Sequence, residues 1–243
     1  VISILNSYIL APQIDASTVA LLHCDGPNAS TSFPDSALGG TAPHTFTARG
    51  DAQVSTAQQK YGTGSLLLDR PGDWLDAPNS SDFLFGSGDF CVEAWVRYIA
   101  LDPGGEYDTV ASVCDTSSTD FSWIFAHYHG VLRFGWTTNG SYTTATNFDT
   151  PWTPSLDTWY HLAACRSGDD FRFFADGVQQ GSTQSITGAI GGSTTLLRVG
   201  AYVNGSSVVT GFVDGYIDEV RISKGNARYT SNFTPSGPFT PYQ

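Results

Sequence analysis

Between Phe90 and Tyr98 the chain alternates strictly. Phe90, Val92, Ala94 and Val96 fall on one side, and Cys91, Glu93, Trp95 and Arg97 fall on the other. A period of two belongs to an extended strand with two unlike faces; a helix would scatter these residues round its circumference. Further short extended runs are predicted at Val19–His23, Thr45–Arg49, Ala52–Ser55, Ser65–Asp69, Trp74–Ala77, Thr109–Cys114 and Phe121–Tyr128. Others follow at Val131–Thr137, Ser141–Asn147, Trp159–Arg166, Phe171–Asp176, Val178–Gly181, Leu196–Tyr202 and Phe212–Ser223. No stretch of useful length carries apolar residues at helical spacing. Many short strands separated by turn residues predict an all-β fold, a two-sheet antiparallel β-sandwich with inward and outward side chains alternating.

Turn chemistry suggests how neighbouring strands connect. Arg70-Pro71-Gly72-Asp73 lies between Ser65–Asp69 and Trp74–Ala77, and Pro-Gly predicts a hairpin there. Asn139-Gly140 predicts a second hairpin, because both residues suit positive φ. With 26 glycines, 12 prolines and only 14% charged residues, the composition excludes a coiled coil or a disordered chain. The 243 residues suffice to bury a core. A net charge of −12 argues against nucleic acid as a partner. No apolar run reaches the roughly 20 residues of a membrane helix, so no membrane partner is expected.

Residues 1–17 read as an N-terminal arm ahead of a domain spanning 18–243. Ile2, Ile4, Leu5, Tyr8, Ile9 and Leu10 suit either an extra edge strand or an arm that docks on a neighbouring subunit. The segment lacks a basic leader and a small-residue cleavage site, so it does not read as a signal peptide. Cys24, Cys91, Cys114 and Cys165 stand singly in apolar contexts without C-x-x-C spacing, which argues against zinc. They are expected to be buried free thiols; three full pairings exist and nothing in the spacing selects one.

Several stretches also resemble a known family. From Gly64-Ser65-Leu66, through Asp69, Gly72-Asp73, Leu75, Pro78, Ser80 and Asp82-Phe83, to Gly88-Asp89-Phe90 and Val92-Glu93-Ala94-Trp95-Val96, the sequence is similar to the LamG-like jelly roll. That domain is a branch of the concanavalin A-like lectin superfamily. The opening His23-Cys24-Asp25-Gly26 and Phe33-Pro34-Asp35-Ser36, Trp159-Tyr160-His161-Leu162-Ala163 with Asp176-Gly177, and Ile217-Asp218-Glu219-Val220-Arg221-Ile222-Ser223 extend the likeness, with Cys24 in place of the usual aromatic. Lys224 to Pro235 resembles the ending of LamG-like domains in bacteriophage structural proteins. The resemblance implies a concanavalin A-like jelly roll with a C-terminal extended tail over residues 224–243.

Catalysis is not expected. Relatives that cleave glycosides use paired carboxylates; Glu93 stands alone on its strand, and Asp218 and Glu219, being adjacent, should point to opposite faces. His23, His44, His127, His129 and His161 lack any catalytic motif and read as structural. The resemblance implies one structural calcium, with Asp25, Asp35 and Asp218 as ligands if the first and last strands meet. The competing reading has Asp25 capping a turn and Asp218 paired with Arg221. For glycan, Tyr128, His129 and Tyr142 lie beside turns and are the candidates for exposed rings, whereas Phe134 and Trp136 suit the core. The expected function is a non-enzymatic phage virion surface protein, of capsid-decoration or tail-fibre type, self-associating and adhering to cell-surface glycan. The alternative is a secreted, extracellular bacterial carbohydrate-binding or adhesion module.

Overall fold

Alternation along each strand becomes layering in the folded chain. The computed structural model describes residues 12–117 and 120–243; the arm residues Ile2, Ile4, Leu5, Tyr8, Ile9 and Leu10 lie outside them. In chain order the strands are β1 (Thr18–Leu22), β2 (Thr47–Arg49), β3 (Gln53–Ser55), β4 (Ser65–Asp69), β5 (Trp74–Ala77) and β6 (Phe90–Ala100). Then come β7 (Asp108–Asp115), β8 (Asp120–Tyr128), β9 (Val131–Trp136), β10 (Thr146–Pro151), β11 (Trp159–Ser167) and β12 (Asp170–Ala175). The last are β13 (Val178–Ser185), β14 (Leu197–Val199), β15 (Tyr202–Val203), β16 (Val209–Thr210) and β17 (Asp214–Lys224).

The first sheet runs β13-β12-β11-β6-β17-β4-β3, with β1 also on β17; the second runs β10-β9-β8-β7-β14-β5-β2, with β15 and β16 at one side. Among the described residues, pairing is antiparallel apart from one parallel contact, Val203 with Asp115. Between the sheets, Phe90, Val92, Ala94 and Val96 of β6 meet Trp123, Phe125, Phe134 and Trp136 of the other layer in one core. Rings reach across: Phe90 lies 5.4 Å from Phe134, and Phe171 lies 4.9 Å from Phe134. This is the expected sandwich.

Four local expectations are corrected. The segments β4 and β5 do not form a hairpin: β4 pairs with β3 and β17 in the first sheet, β5 with β2 and β14 in the second. Arg70 to Asp73 is a corner between layers, where Asp73 accepts main-chain N–H bonds from Asp51 and Asp69. Turn residues announce a bend; they do not say whether the next strand stays in the sheet. The hairpin β9–β10 exists, but its loop runs from Thr137 to Ala145 and Asn139 works through its side chain, accepting from the Thr137 hydroxyl, Ser141 N and the Thr144 hydroxyl.

Cys91 and Cys165 are not free. They stand opposite each other on β6 and β11 and form a disulfide, while Cys24 and Cys114 are buried thiols as expected. The pairing follows from strand register, which spacing along the chain does not reveal. Finally, β17 bulges between Asp218 and Arg221, where Glu219 takes φ +52. The strict alternation expected of Asp218 and Glu219 is lost there.

The tail is extended, yet it is packed rather than free. Tyr229 and Phe233 stack on each other and cover Cys91, Cys165 and Phe174 on the outer face of the first sheet. Phe239 continues over the Arg221 guanidinium at 4.0 Å. The last residues of the tail then meet residues 13–15: Asp15 N donates to Pro241 O, and Gln243 N donates to Gln13 O. Asp15 itself is buried and pairs with Arg228.

Candidate functional site

Glu93, the acid that a glycosidase reading would need, is sealed beneath the tail. Its carboxylate accepts from Arg221 Nε at 2.7 Å, His161 Nε2 lies at 2.9 Å, and the Tyr229 hydroxyl donates at 2.9 Å. Burial alone would raise its pKa, but the Arg221 charge and the His161 bond hold it at about 2. Such a group fastens the tail to the sheet and reaches no substrate. Arg221 thus pairs with Glu93, not with Asp218 as the competing reading had it. Three further histidines also face carboxylates: His23 with Glu219, His44 with Asp82 and His127 with Asp108.

The three acids proposed for calcium do not converge. Asp35 accepts three main-chain N–H bonds, from Leu21, Ala37 and His44, which engage both of its oxygens. Asp25 and Asp218, however, grip the same loop from two sides: Asp218 Oδ2 accepts from Lys60 N and Tyr61 N, and Asp25 Oδ1 accepts from Thr63 N and Gly64 N. First and last strands do meet here. Asp218 Oδ1 is buried without a partner, and burial, reinforced by Glu219, pushes the carboxyl up to about 7 against the pull of the Tyr61 and Lys60 amides. That orphaned oxygen fits a cation ligand, whereas both Asp35 oxygens already serve backbone amides. Among the described residues, the acids that converge as a trio are instead Asp51, Asp69 and Asp73 at the corner, where Asp73 already serves two backbone amides.

The glycan candidates gather on the outer face of the second sheet. Tyr128 closes β8, and its ring lies 4.6 Å from Tyr107. Arg133 of β9 lays its guanidinium 4.3 Å above Tyr128 and donates to the Tyr107 hydroxyl at 3.1 Å. Its remaining donors form a two-pronged bond to Asp149, its register partner on β10, at 2.7 and 2.6 Å. The exposed His129 takes φ +48 in the turn and stands edge-on to Tyr128 at 4.4 Å. Tyr142, 45% exposed, leans on Phe121 at 5.7 Å.

Tyr107 ties these together. Burial pushes its phenol up, Arg133 opposes that, and Tyr142 and Tyr128 both lie near enough to add to it. Tyr202 buttresses it edge-on at 5.0 Å and is itself anchored through its hydroxyl to Glu106 at 2.7 Å. Sequence reasoning left Tyr107 in a loop and passed over Arg133 and Asp149; the strand register that makes them partners was the missing signal. Phe134 and Trp136 are core, as expected. The surface combines partly exposed ring faces with paired donor and acceptor groups, a combination suited to stacking on, and hydrogen-bonding to, hydroxyl-rich rings.

A family model described as the concanavalin A-like lectin/glucanases superfamily matches residues 69–228. The chain belongs to the concanavalin A-like lectin/glucanase superfamily. No curated protein matches the sequence. Among solved structures, the binding domain of Paraclostridial Mosquitocidal Protein 1 superposes with TM-score 0.62 at 16% identity, over 86% of this chain and 49% of that one. The botulinum neurotoxin serotype D binding domain gives 0.59 at 12%, over 87% and 49%. The chain therefore spans about half the length of these toxin domains. Domain 4 of AbnA, an extracellular arabinanase from Geobacillus stearothermophilus solved with arabinotriose, gives 0.59 at 18%, over 86% of this chain and 93% of that one. These likenesses establish the concanavalin A-like fold; the ring-and-ion-pair surface is read from this chain's own residues.

Proposed function

We propose that the chain is a non-catalytic carbohydrate-recognition module that holds glycan against the Tyr107, Tyr128, His129 and Tyr142 surface. The observation that carries this reading is the Tyr107–Tyr128 pair under the Arg133–Asp149 ion pair. Here two rings and both members of a charge pair reach one patch without a net charge. Membership of a lectin/glucanase superfamily and the burial of Glu93 support it. Fold alone does not give function. The test is retention on a panel of immobilised glycans. Wild type should bind, and Tyr128→Ala and Tyr142→Ala should lose retention while melting at the wild-type temperature. Absence of retention on every glycan, or unaltered retention by both variants, overturns the reading.

Two settings suit such a module, a secreted bacterial protein and a self-associating virion surface protein that meets other virion proteins and a host glycan. They make different demands on Cys91 and Cys165. The disulfide supports an oxidising extracellular compartment and so the secreted setting. A structural calcium between Asp25 and Asp218 remains part of the proposal, with the buried Asp218 Oδ1 as its strongest ground. Bound there, the ion would supply charge neutralisation to two acids that already brace the Lys60–Gly64 loop.

A further inference from the structure

The outer face of the first sheet is divided. One half lies under the C-terminal tail, with Phe239 and the loop residue Tyr61 against Trp95. Beside it a single row of partly exposed side chains crosses five neighbouring strands, its first member Trp159 packing by one side against the same Trp95 cluster. Trp159 on β11 stands opposite Arg97 on β6, Arg97 opposite Tyr216 on β17, Tyr216 opposite Leu67 on β4, and Leu67 opposite Gln53 on β3. All five are partly exposed, whereas the next row, His161, Trp95 and Asp218, is buried.

The row has an order to its chemistry. The Trp159 and Tyr216 rings lie 6.5 Å apart, with Arg97 on the strand between them. The Arg97 guanidinium sits 5.7 Å from the Tyr216 ring and forms an ion pair with Asp157 at 2.9 Å; the Asp157 side chain is 64% exposed, so the acid of the pair faces outward. Gln53 adds an amide at the β3 end.

We infer that this row is a second carbohydrate-binding surface, taking a linear, uncharged oligosaccharide laid across the strands. The inference rests on the reading that the chain binds glycan. Neighbouring strands are spaced about 4.8 Å apart, close to the length of one sugar ring in an extended chain, so successive sugars meet successive strands. Rings at Trp159 and Tyr216 present faces to stack on. The charge of Arg97 is already matched by Asp157, so the row itself offers an acidic sugar no unmatched cation, Lys60 lying over Trp95 in the next row, while a vicinal diol finds a donor and an acceptor side by side. One line of side chains interleaved with polar groups is also a poor seat for a protein partner, which calls for a contiguous apolar patch. The Tyr128 surface lies on the outer face of the opposite sheet, so the two surfaces bind independently and a long glycan or two glycans can engage one molecule.

The experiment is titration calorimetry of the full chain with neutral tetraoses of glucose, xylose, mannose and arabinose. It compares wild type, Trp159→Ala, Tyr216→Ala, Tyr128→Ala and a chain lacking residues 1–11, each checked by thermal melting. Two sites per chain are expected. Trp159→Ala and Tyr216→Ala each weaken one of them at least ten-fold and leave the other, and Tyr128→Ala does the converse. If both row variants titrate as wild type while Tyr128→Ala abolishes binding, the second surface is wrong and the first stands. If only the row variants lose binding, the Tyr128 reading fails alone. Binding at the row seen only after removal of residues 1–11 makes it the seat of the arm and overturns the inference, as does binding of no tetraose by any protein.

Discussion

Arg221 donates through Nε to Glu93 Oε1 at 2.7 Å, directly across the β6–β17 ladder, with Glu93 fully buried. The second Glu93 oxygen receives the Tyr229 hydroxyl and faces His161 Nε2. A charge this deep persists because both of its oxygens are engaged, one of them by a buried guanidinium.

Glu93→Gln removes the charge while keeping the shape, and leaves Arg221 buried without its counter-ion. The expected loss is roughly 3–5 kcal/mol in urea unfolding. A loss below about 1 kcal/mol would show that the pair contributes no more than a surface ion pair.

The same carboxylate sets an acid limit. Its folded pKa, about 2, lies below the ordinary 4.5. Its contribution is therefore complete above about pH 4.5 and drains away as the pH falls toward 2. The stability gap between wild type and Glu93→Gln should narrow over that window. A gap that stays constant down to pH 2 contradicts the assignment.

Cys91 and Cys165 should resist alkylation in the denatured, unreduced chain, while Cys24 and Cys114 react. Mass spectrometry should count two modified thiols, rising to four after reduction. The Cys91→Ser, Cys165→Ser double variant should lose about 2–5 kcal/mol. Four reactive thiols before reduction would remove the bond.

Calcium at Asp25 and Asp218 should raise the melting temperature, and chelation should lower it again. In Asp218→Asn that response should vanish. A wild-type melt indifferent to calcium and chelator ends the proposal, and the Lys60–Gly64 loop is then held by its hydrogen bonds to the two carboxylates without an ion.

Much of this fold is legible in the sequence because its signals are local. Ser65–Asp69 and Trp74–Ala77 are strands at the expected residues, and Phe90 to Tyr98 alternates inward and outward as its pattern dictates. What sequence does not carry is the partner of each strand. That one gap accounts for the misread corner at Arg70–Asp73, for Cys91 meeting Cys165, and for Arg133 meeting Asp149. The bulge at Glu219 was hidden for a different reason: an adjacent acidic pair gives no sign that one residue will take positive φ. That Tyr128 and His129 reach the surface is legible because a ring beside a turn has little core to enter; the place of Tyr107 beside them is not, because its neighbours come from distant strands.

The junction of Gln13–Asp15 with Pro241–Gln243 fixes how this molecule faces the world. Ser17 O receives Lys224 N, so this junction sits near the last residue of β17, while Tyr216 sits toward its first. Eight residues of strand, roughly 26 Å, separate them. A partner that grips this junction therefore leaves the Trp159–Arg97–Tyr216 row free toward the other end of the strand.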